Sequence, residues 1–198
     1  MNEDELDPDP FVQFGRWRDA AIAAQVPEPD AMVLATATRD GQPSARFVML
    51  RGIDERGFVF FTNHGSRKAA ELADNPRAAL IVYWEPLHRQ VRIEGSVARV
   101  TTEESEQYFA SRPRPSRLSA WASPQGEVIE DRTSLDALWA AADRRFAEED
   151  VPLPPFWGGY RVEPSELEFW AGHRDRLHDR LRYRRAPSGA WTIARLAP

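Results

Sequence analysis

Three short clusters carry side chains that could hold or transform a small anion. In Asn63-His64-Gly65-Ser66-Arg67-Lys68 a strand ends, a glycine turn follows, and a helix opens with two adjacent cations. Free N–H groups and the helix dipole make such a terminus an anion site. Two cations in a first turn oppose that dipole unless an anion offsets them, a local conflict that a phosphate would resolve. The same residues also fit a plainer arrangement, with Ser66 capping the helix and both cations solvated. The second cluster runs from Arg46 to Arg51, Arg-Phe-Val-Met-Leu-Arg. Strand alternation turns Arg46, Val48 and Leu50 one way and Phe47, Met49 and Arg51 the other. Its arginines could border a ligand or simply end an edge strand. The third is Arg176-Leu177-His178-Asp179-Arg180. If extended, it points Arg176, His178 and Arg180 to one side. Two guanidinium groups would keep the histidine neutral and could hold a flat anionic ligand by stacking. A solvated basic strand is the alternative.

Other chemistries find little support. With no cysteine among 198 residues, disulfides, thiolate nucleophiles and zinc-thiolate sites are removed together, which fits the cytoplasm. The four histidines (His64, His88, His173, His178) form no i, i+4 pair, so no metal site is expected. Dinucleotide, Walker and nucleophile-elbow motifs are absent. A formal net charge of -5 does not recruit nucleic acid. No apolar run suits a membrane span, and the acidic start Met1-Asn2-Glu3-Asp4-Glu5 is unlike a secretory signal. Lys68 is the single lysine; arginine otherwise dominates and concentrates at Arg112-Pro-Arg-Pro-Ser-Arg117 and from Arg174 to Arg185. Its planar fork suits phosphate and carboxylate, so a small anionic ligand fits better than a polyanion.

The elements that must position these groups follow from periodicity. Residues 1–9 read as a disordered lead-in and 10–198 as one domain. Asp9-Pro10 starts a helix with Phe11, Phe14, Trp17, Ala21 and Ala24 at helical spacing. Strands are expected at 31–38, 46–50 and 58–62, with Asp40-Gly41 and Asp54 to Gly57 as turns. A helix from Ser66 stops near Asn75-Pro76, and strands follow at 78–84 and 90–100. Thr101-x-x-Glu104 is a capping box for a helix to about Ser111, and another helix covers 134–148. Strands at 159–162, 167–170, 181–185 and 191–194 complete the chain. The sum is mainly β with helices (α+β), an antiparallel barrel.

Together the clusters resemble the pyridoxamine 5'-phosphate oxidase family. The resemblance runs through Arg46 to Arg51, Phe60-Phe-Thr-Asn63, Ser66-Arg-Lys68, Asn75-Pro76, Arg89-Gln-Val91 and Tyr108-Phe-x-Ser-Arg112-Pro113. It continues in Ala120-Trp-Ala-Ser123, Trp157-Gly-Gly-Tyr160, Glu168-Phe-Trp170, Arg176-Leu-His-Asp-Arg180 and the final Arg195-Leu-Ala-Pro198. It implies a homodimeric FMN-binding split barrel with its sites at the subunit interface. FMN would be held by Arg46, Arg51, Phe61, Thr62, Ser66, Arg67 and Lys68 of one subunit. Gln90, Gln125, Trp170 and Arg180 would complete the site, largely from the other. Arg51, Tyr108, Arg112 and Ser116 would clamp the substrate phosphate, and Arg176 and His178 would be the catalytic pair beside the pyridine ring.

The implied reaction moves a hydride from the substrate carbon bearing the amine or alcohol to the flavin, which dioxygen then reoxidises with release of hydrogen peroxide. The product is pyridoxal 5'-phosphate. The chain departs from the family pattern at Arg51, where lysine is usual, at Phe61 for tyrosine, at Gly126 for serine and at Ala171 for glutamine. Arginine is no neutral replacement for lysine at a tight site. Two other readings remain: a related flavoenzyme such as a phenazine-biosynthesis oxidase, or a non-catalytic flavin- or pyridoxal-phosphate-binding barrel. Tyr108, Arg112 and Ser116 favour a phosphorylated substrate over the first, and Arg176 with His178 weighs against the second.

Overall fold

The computed structural model describes residues 1–198. Helix α1 (Pro10–Ala23) opens as its residues dictate, with proline at its first position and the Asp9 carboxylate accepting the Phe11 N–H at 2.8 Å. Its buried face, Phe14, Trp17 and Ala21, lies against Phe58, Trp84 and Phe169. Those rings belong to one antiparallel sheet. Its strands are β1 (Ala31–Ala37), β2 (Pro43–Met49), β3 (Gly52–Asp54), β4 (Gly57–Asn63), β5 (Arg77–Trp84), β6 (Arg89–Arg99), β7 (Trp157–Ala171), β8 (Asp179–Arg185) and β9 (Trp191–Arg195). The order is β2-β1-β5-β6-β7-β4-β3, with β8 also on β7 and β9 beyond it.

Strand β7 organises the molecule. Its first half pairs with β4 (Thr62 opposite Gly158), its second with β8 (Trp170 opposite Arg180), and β6 runs along its other edge. The sequence suggests two strands here because Pro164 interrupts the pattern. The chain instead passes through as one strand, with a bulge at Glu94/Gly95 that accommodates the proline. Gly95 has no substitute there: an added Cβ would lie 1.9 Å from the Glu163 carbonyl oxygen.

The sheet's inner face and α1 enclose the main core, including Leu34, Phe60, Leu80, Ile93, Val162 and Tyr183. A second core of Phe109, Leu118, Ala142, Phe146 and Trp157 lies under α3 (Thr102–Ser111), α4 (Arg114–Ala122) and α5 (Arg132–Arg145). Helix α2 (Arg67–Asp74) follows β4. The outer sheet face carries an apolar row in register, Phe47, Val33 and Ile81, then Arg92, Glu168 and Arg182. Phe47 on it is 74% exposed and Tyr83, two residues along β5 from Ile81, 50% exposed.

Helix α4 and strand β3 are absent from the sequence reading: prolines 113 and 115 mask the one, and three residues are too few for the other. The lead-in expected to be disordered has structure. Glu3–Glu5 form a 3-10 turn, Leu6 joins the core, and the Tyr183 hydroxyl donates to the Asp7 carbonyl at 2.6 Å. No helix is long and apolar enough to cross a membrane.

Candidate functional site

The end of β4 and the start of α2 bring the first cluster together. Asn63 accepts the Gly65 N–H at 2.7 Å, tightening the turn. Ser66 donates its hydroxyl to the Asn63 carbonyl at 2.7 Å, and its side chain does not cap α2. The capping half of the plainer arrangement is thereby removed, while Arg67 stays 63% exposed. Lys68 Nζ instead folds back to Thr62 Oγ1 (3.1 Å), Ser66 Oγ (3.3 Å) and Gln125 Oε1 (2.9 Å), all uncharged oxygens. Burial, then the neighbouring Arg46 charge, lowers the Lys68 pKa. Thr62 also donates to Gln125 Oε1 at 2.9 Å. Gln125 thus sits with Thr62 and Lys68 of its own chain, apart from Gln90 and Trp170. Gly126 beside it has φ +96, and its added Cβ would lie 3.8 Å from the Arg67 amide, so this loop sits over the start of α2.

Arg46 turns into the fold. Its Nη1 donates to Thr36 Oγ1 (2.5 Å) and the Leu34 carbonyl (3.4 Å), its Nη2 to Ser44 Oγ (2.5 Å) and Glu71 Oε2 (3.3 Å). Its terminal donors are spent within the fold, leaving Nε–H as the one free for a ligand. Glu71 is the residue the sequence reading missed. It is 4% exposed and accepts from Thr36, from Ser44 at 2.6 Å, and from Arg67 Nε at 2.7 Å. Burial opposes its ionisation, but the Ser44, Thr36, Arg67 and Arg46 hydrogen bonds outweigh burial and bring its pKa down to about 2. The one legible signal was its i, i+4 spacing from Arg67.

A second group adjoins the first. Phe61 stacks on Tyr108 at 4.0 Å between ring centres and on Trp157 at 5.4 Å. Arg112, just beyond α3, lies over the Trp157 ring at 4.8 Å. Its Nη1 is buried without a hydrogen-bond partner, and burial followed by the Arg51 charge lowers its pKa. Arg51, Phe61 and Tyr108 line one cleft of about 410 Å³. Ser116 stands half-buried in the first turn of α4.

The third group is elsewhere. Gln90, Trp170 and Arg180 are cross-strand neighbours on the outer face. The His178 ring lies 4.7 Å from Trp170, and its Nδ1 accepts the His173 N–H at 3.0 Å, so the neutral ring carries its proton on Nε2. His173 is tied to Asp179 at 2.7 Å. Arg180 grips Glu168 through Nε (2.6 Å) and Nη2 (3.1 Å), and Arg92 reaches the same carboxylate at 2.9 Å. The expected extended row of Arg176, His178 and Arg180 does not form. Arg176 has φ +65 in a turn before β8, so only Arg180 sits on the strand.

Most of β7 runs between Thr62's partner Gly158 and Trp170, on the order of 40 Å of chain measured along the strand at about 3.3 Å per residue. The first two groups thus spring from consecutive residues of β4, Thr62 and Phe61, and the third lies at the far end of β7.

Residues 19–145 match the family model described as pyridoxamine 5'-phosphate oxidase, and 157–198 that of the pyridoxine 5'-phosphate oxidase C-terminal dimerisation region. The pyridoxine/pyridoxamine 5'-phosphate oxidase of Rubrobacter xylanophilus is 58% identical, over 100% of this chain and 91% of its own. That of Burkholderia multivorans is 56% identical over 100% and 93%. Among solved structures, PhzG from Burkholderia lata, in complex with tetrahydrophenazine-1-carboxylic acid, superposes with TM-score 0.93 at 37% identity, covering 98% of this chain and 95% of its own. An FMN-binding protein from Nostoc punctiforme shares the fold at TM-score 0.75 and 18% identity, covering 98% and 100%. With both matched regions in order and full-length relatives above half identity, the chain belongs to the pyridoxamine 5'-phosphate oxidase family.

Proposed function

We propose that the chain, as a cytoplasmic homodimer with FMN, oxidises pyridoxamine 5'-phosphate and pyridoxine 5'-phosphate to pyridoxal 5'-phosphate, reducing dioxygen to hydrogen peroxide. An amine substrate also takes up water and releases ammonia. The observation that carries this reading is Arg112, a half-buried guanidinium whose Nη1 is buried and unpartnered beside an aromatic stack. A cation with a donor buried in that state calls for an anion, and the phosphate of a flat pyridine substrate supplies one.

The residues also fit a flavin phosphate. Helix α2 has no side-chain cap, Lys68 has no carboxylate among its contacts, and Arg67 has its terminal nitrogens at the surface. Arg67, Lys68, Thr62 and Gln125 would hold the phosphate and ribityl end. When bound, flavin supplies the acceptor for the substrate's two electrons and passes them to dioxygen, a task no side chain here can perform. The protein's own groups bind and orient. Arg112, Tyr108 and Arg51 fix the substrate phosphate, and the Phe61, Tyr108 and Trp157 rings keep water from that side. His178, its Nδ1 engaged by the His173 N–H, offers Nε2 to the substrate arm, with Arg176 two residues before it.

The homodimer reading rests on the separation along β7 and on the outer face. That face exposes Phe47 and Tyr83 next to Gln90 and Trp170. A second copy seated on it would bring Trp170, His178 and Arg180 to the first copy's Lys68 and Arg112.

The test is an aerobic assay on FMN-loaded protein with each phosphorylated vitamer, following aldehyde and peroxide. Equimolar formation of both products is expected. Firm FMN binding with no turnover on either vitamer overturns the substrate assignment. The likeness to PhzG favours a second reading, a reduced phenazine carboxylate as substrate. Turnover of that compound alone in the same assay selects it.

A further inference from the structure

We infer that Glu71 is a positioning residue for the anion site, holding Arg67 by its Nε so that both terminal nitrogens of that guanidinium face the phosphate of the flavin. This rests on the FMN reading above. The two carboxylate oxygens have separate tasks. Oε2 is fixed to the sheet by Ser44 at 2.6 Å, by Thr36 and by Arg46 at 3.3 Å, so it draws on β1 and β2. Oε1 accepts Arg67 Nε at 2.7 Å. Arg67 is otherwise a surface side chain, 63% exposed, with the rotamer freedom that entails. Pinning Nε removes much of that freedom before a ligand arrives and leaves the Nη1/Nη2 edge for bidentate contact.

Charge supports the same assignment. Against Arg46, Arg67 and Lys68, the one Glu71 carboxylate leaves two positive charges at the helix start. That suits a phosphomonoester, which carries about -1.5 to -2 near neutral pH, better than a singly charged carboxylate. Arg46 is then part of the Glu71 mount, which accounts for its inward turn. The competing role is purely structural, with Glu71 tying α2 to β1 and β2 through the same hydrogen bonds.

Flavin fluorescence titration separates the two. FMN and riboflavin, which lacks the phosphate, are titrated against the wild type, Arg67→Ala, Glu71→Ala and the double variant. Glu71→Ala is expected to weaken FMN about tenfold, about 1.4 kcal/mol, and to leave riboflavin within about twofold. In the Arg67→Ala background it should add nothing further, because the effect travels through Arg67. Equal losses for both flavins, or full additivity with Arg67→Ala, overturn the inference in favour of the structural role. Should Glu71→Ala not fold, Glu71→Gln decides: it keeps an acceptor for Arg67 and predicts the same selective loss, smaller in size. A folded Glu71→Gln without that selectivity overturns the inference. Wild type binding FMN no better than riboflavin would instead remove the flavin-phosphate reading itself.

Discussion

Arg112 keeps a guanidinium nitrogen away from water with nothing to bond, a state costing on the order of 1–3 kcal/mol or more for a charged group. An incoming phosphate relieves that cost, so the residue spends folding stability to gain affinity. Arg112→Ala should therefore raise KM for the phosphorylated substrate roughly 10- to 100-fold, the loss of one charged hydrogen bond, while FMN stays bound. Steady-state kinetics on flavin-loaded variant decides it, and an unchanged KM would remove the clamp. Glu71 makes a prediction in acid. Its folded pKa of about 2 lies below the ordinary 4.5, so its contribution to stability is complete above 4.5 and fades as pH falls toward 2. Urea midpoints of wild type and Glu71→Gln should differ most at pH 6 and converge near pH 2. A constant gap across that range would show that the charge is not what stabilises.

At the level of elements, α3 carries Tyr108 near its end and delivers Arg112 just beyond it. Its first turn is locked to the sheet by four residues: Arg161 bonds Asp54 (2.6 Å) and Glu104 (2.8 Å), and Arg56 bonds the same two carboxylates (2.7 and 2.9 Å). The Arg161 side chain is 13% exposed against 56% for Arg56, so the Arg161 side of the network bears the load and Arg56→Ala should be nearly silent. Glu104→Gln should let α3 shift and raise substrate KM several-fold with kcat little changed; an unaltered KM in the kinetic comparison would mean that packing alone holds the helix. Gly95→Ala should cost on the order of 3 kcal/mol or more, seen as a large fall in Tm, because its methyl group would collide with the Glu163 carbonyl. Local signals made much of this legible. The Thr101–Glu104 capping box, Asp9-Pro10 and the hairpin at Gly41 each act within a few residues. What escaped depends on distance. Glu71 lies 25 residues from Arg46, and nothing near Arg46 says that it turns inward. The turn at Arg176 likewise breaks an alternation that the residue types alone allowed.

For the whole molecule, the separation of Lys68 and Arg112 from Trp170 and His178 gives a test of assembly that needs no structure of the dimer. Assayed at substrate well below the raised KM, Arg112→Ala chains should be nearly inactive alone, and so should His178→Ala chains. Mixed in equal amounts and allowed to exchange subunits, they should regain about a quarter of wild-type activity, because half the dimers carry one intact shared site. No recovery after demonstrated exchange would mean that each site is built from one chain. The length of β7 also has a consequence for which changes the chain can accept. Between Thr62's partner Gly158 and Gln90's partner Trp170, the strand acts as a ruler. One residue inserted or deleted there would displace one half-site by about 3.3 Å and turn its side chains to the opposite face. The exposed loop from Pro124 to Asp131 has no such duty beyond Gln125 and Gly126. Length can drift in that loop, whereas in β7 the count of residues is itself under constraint.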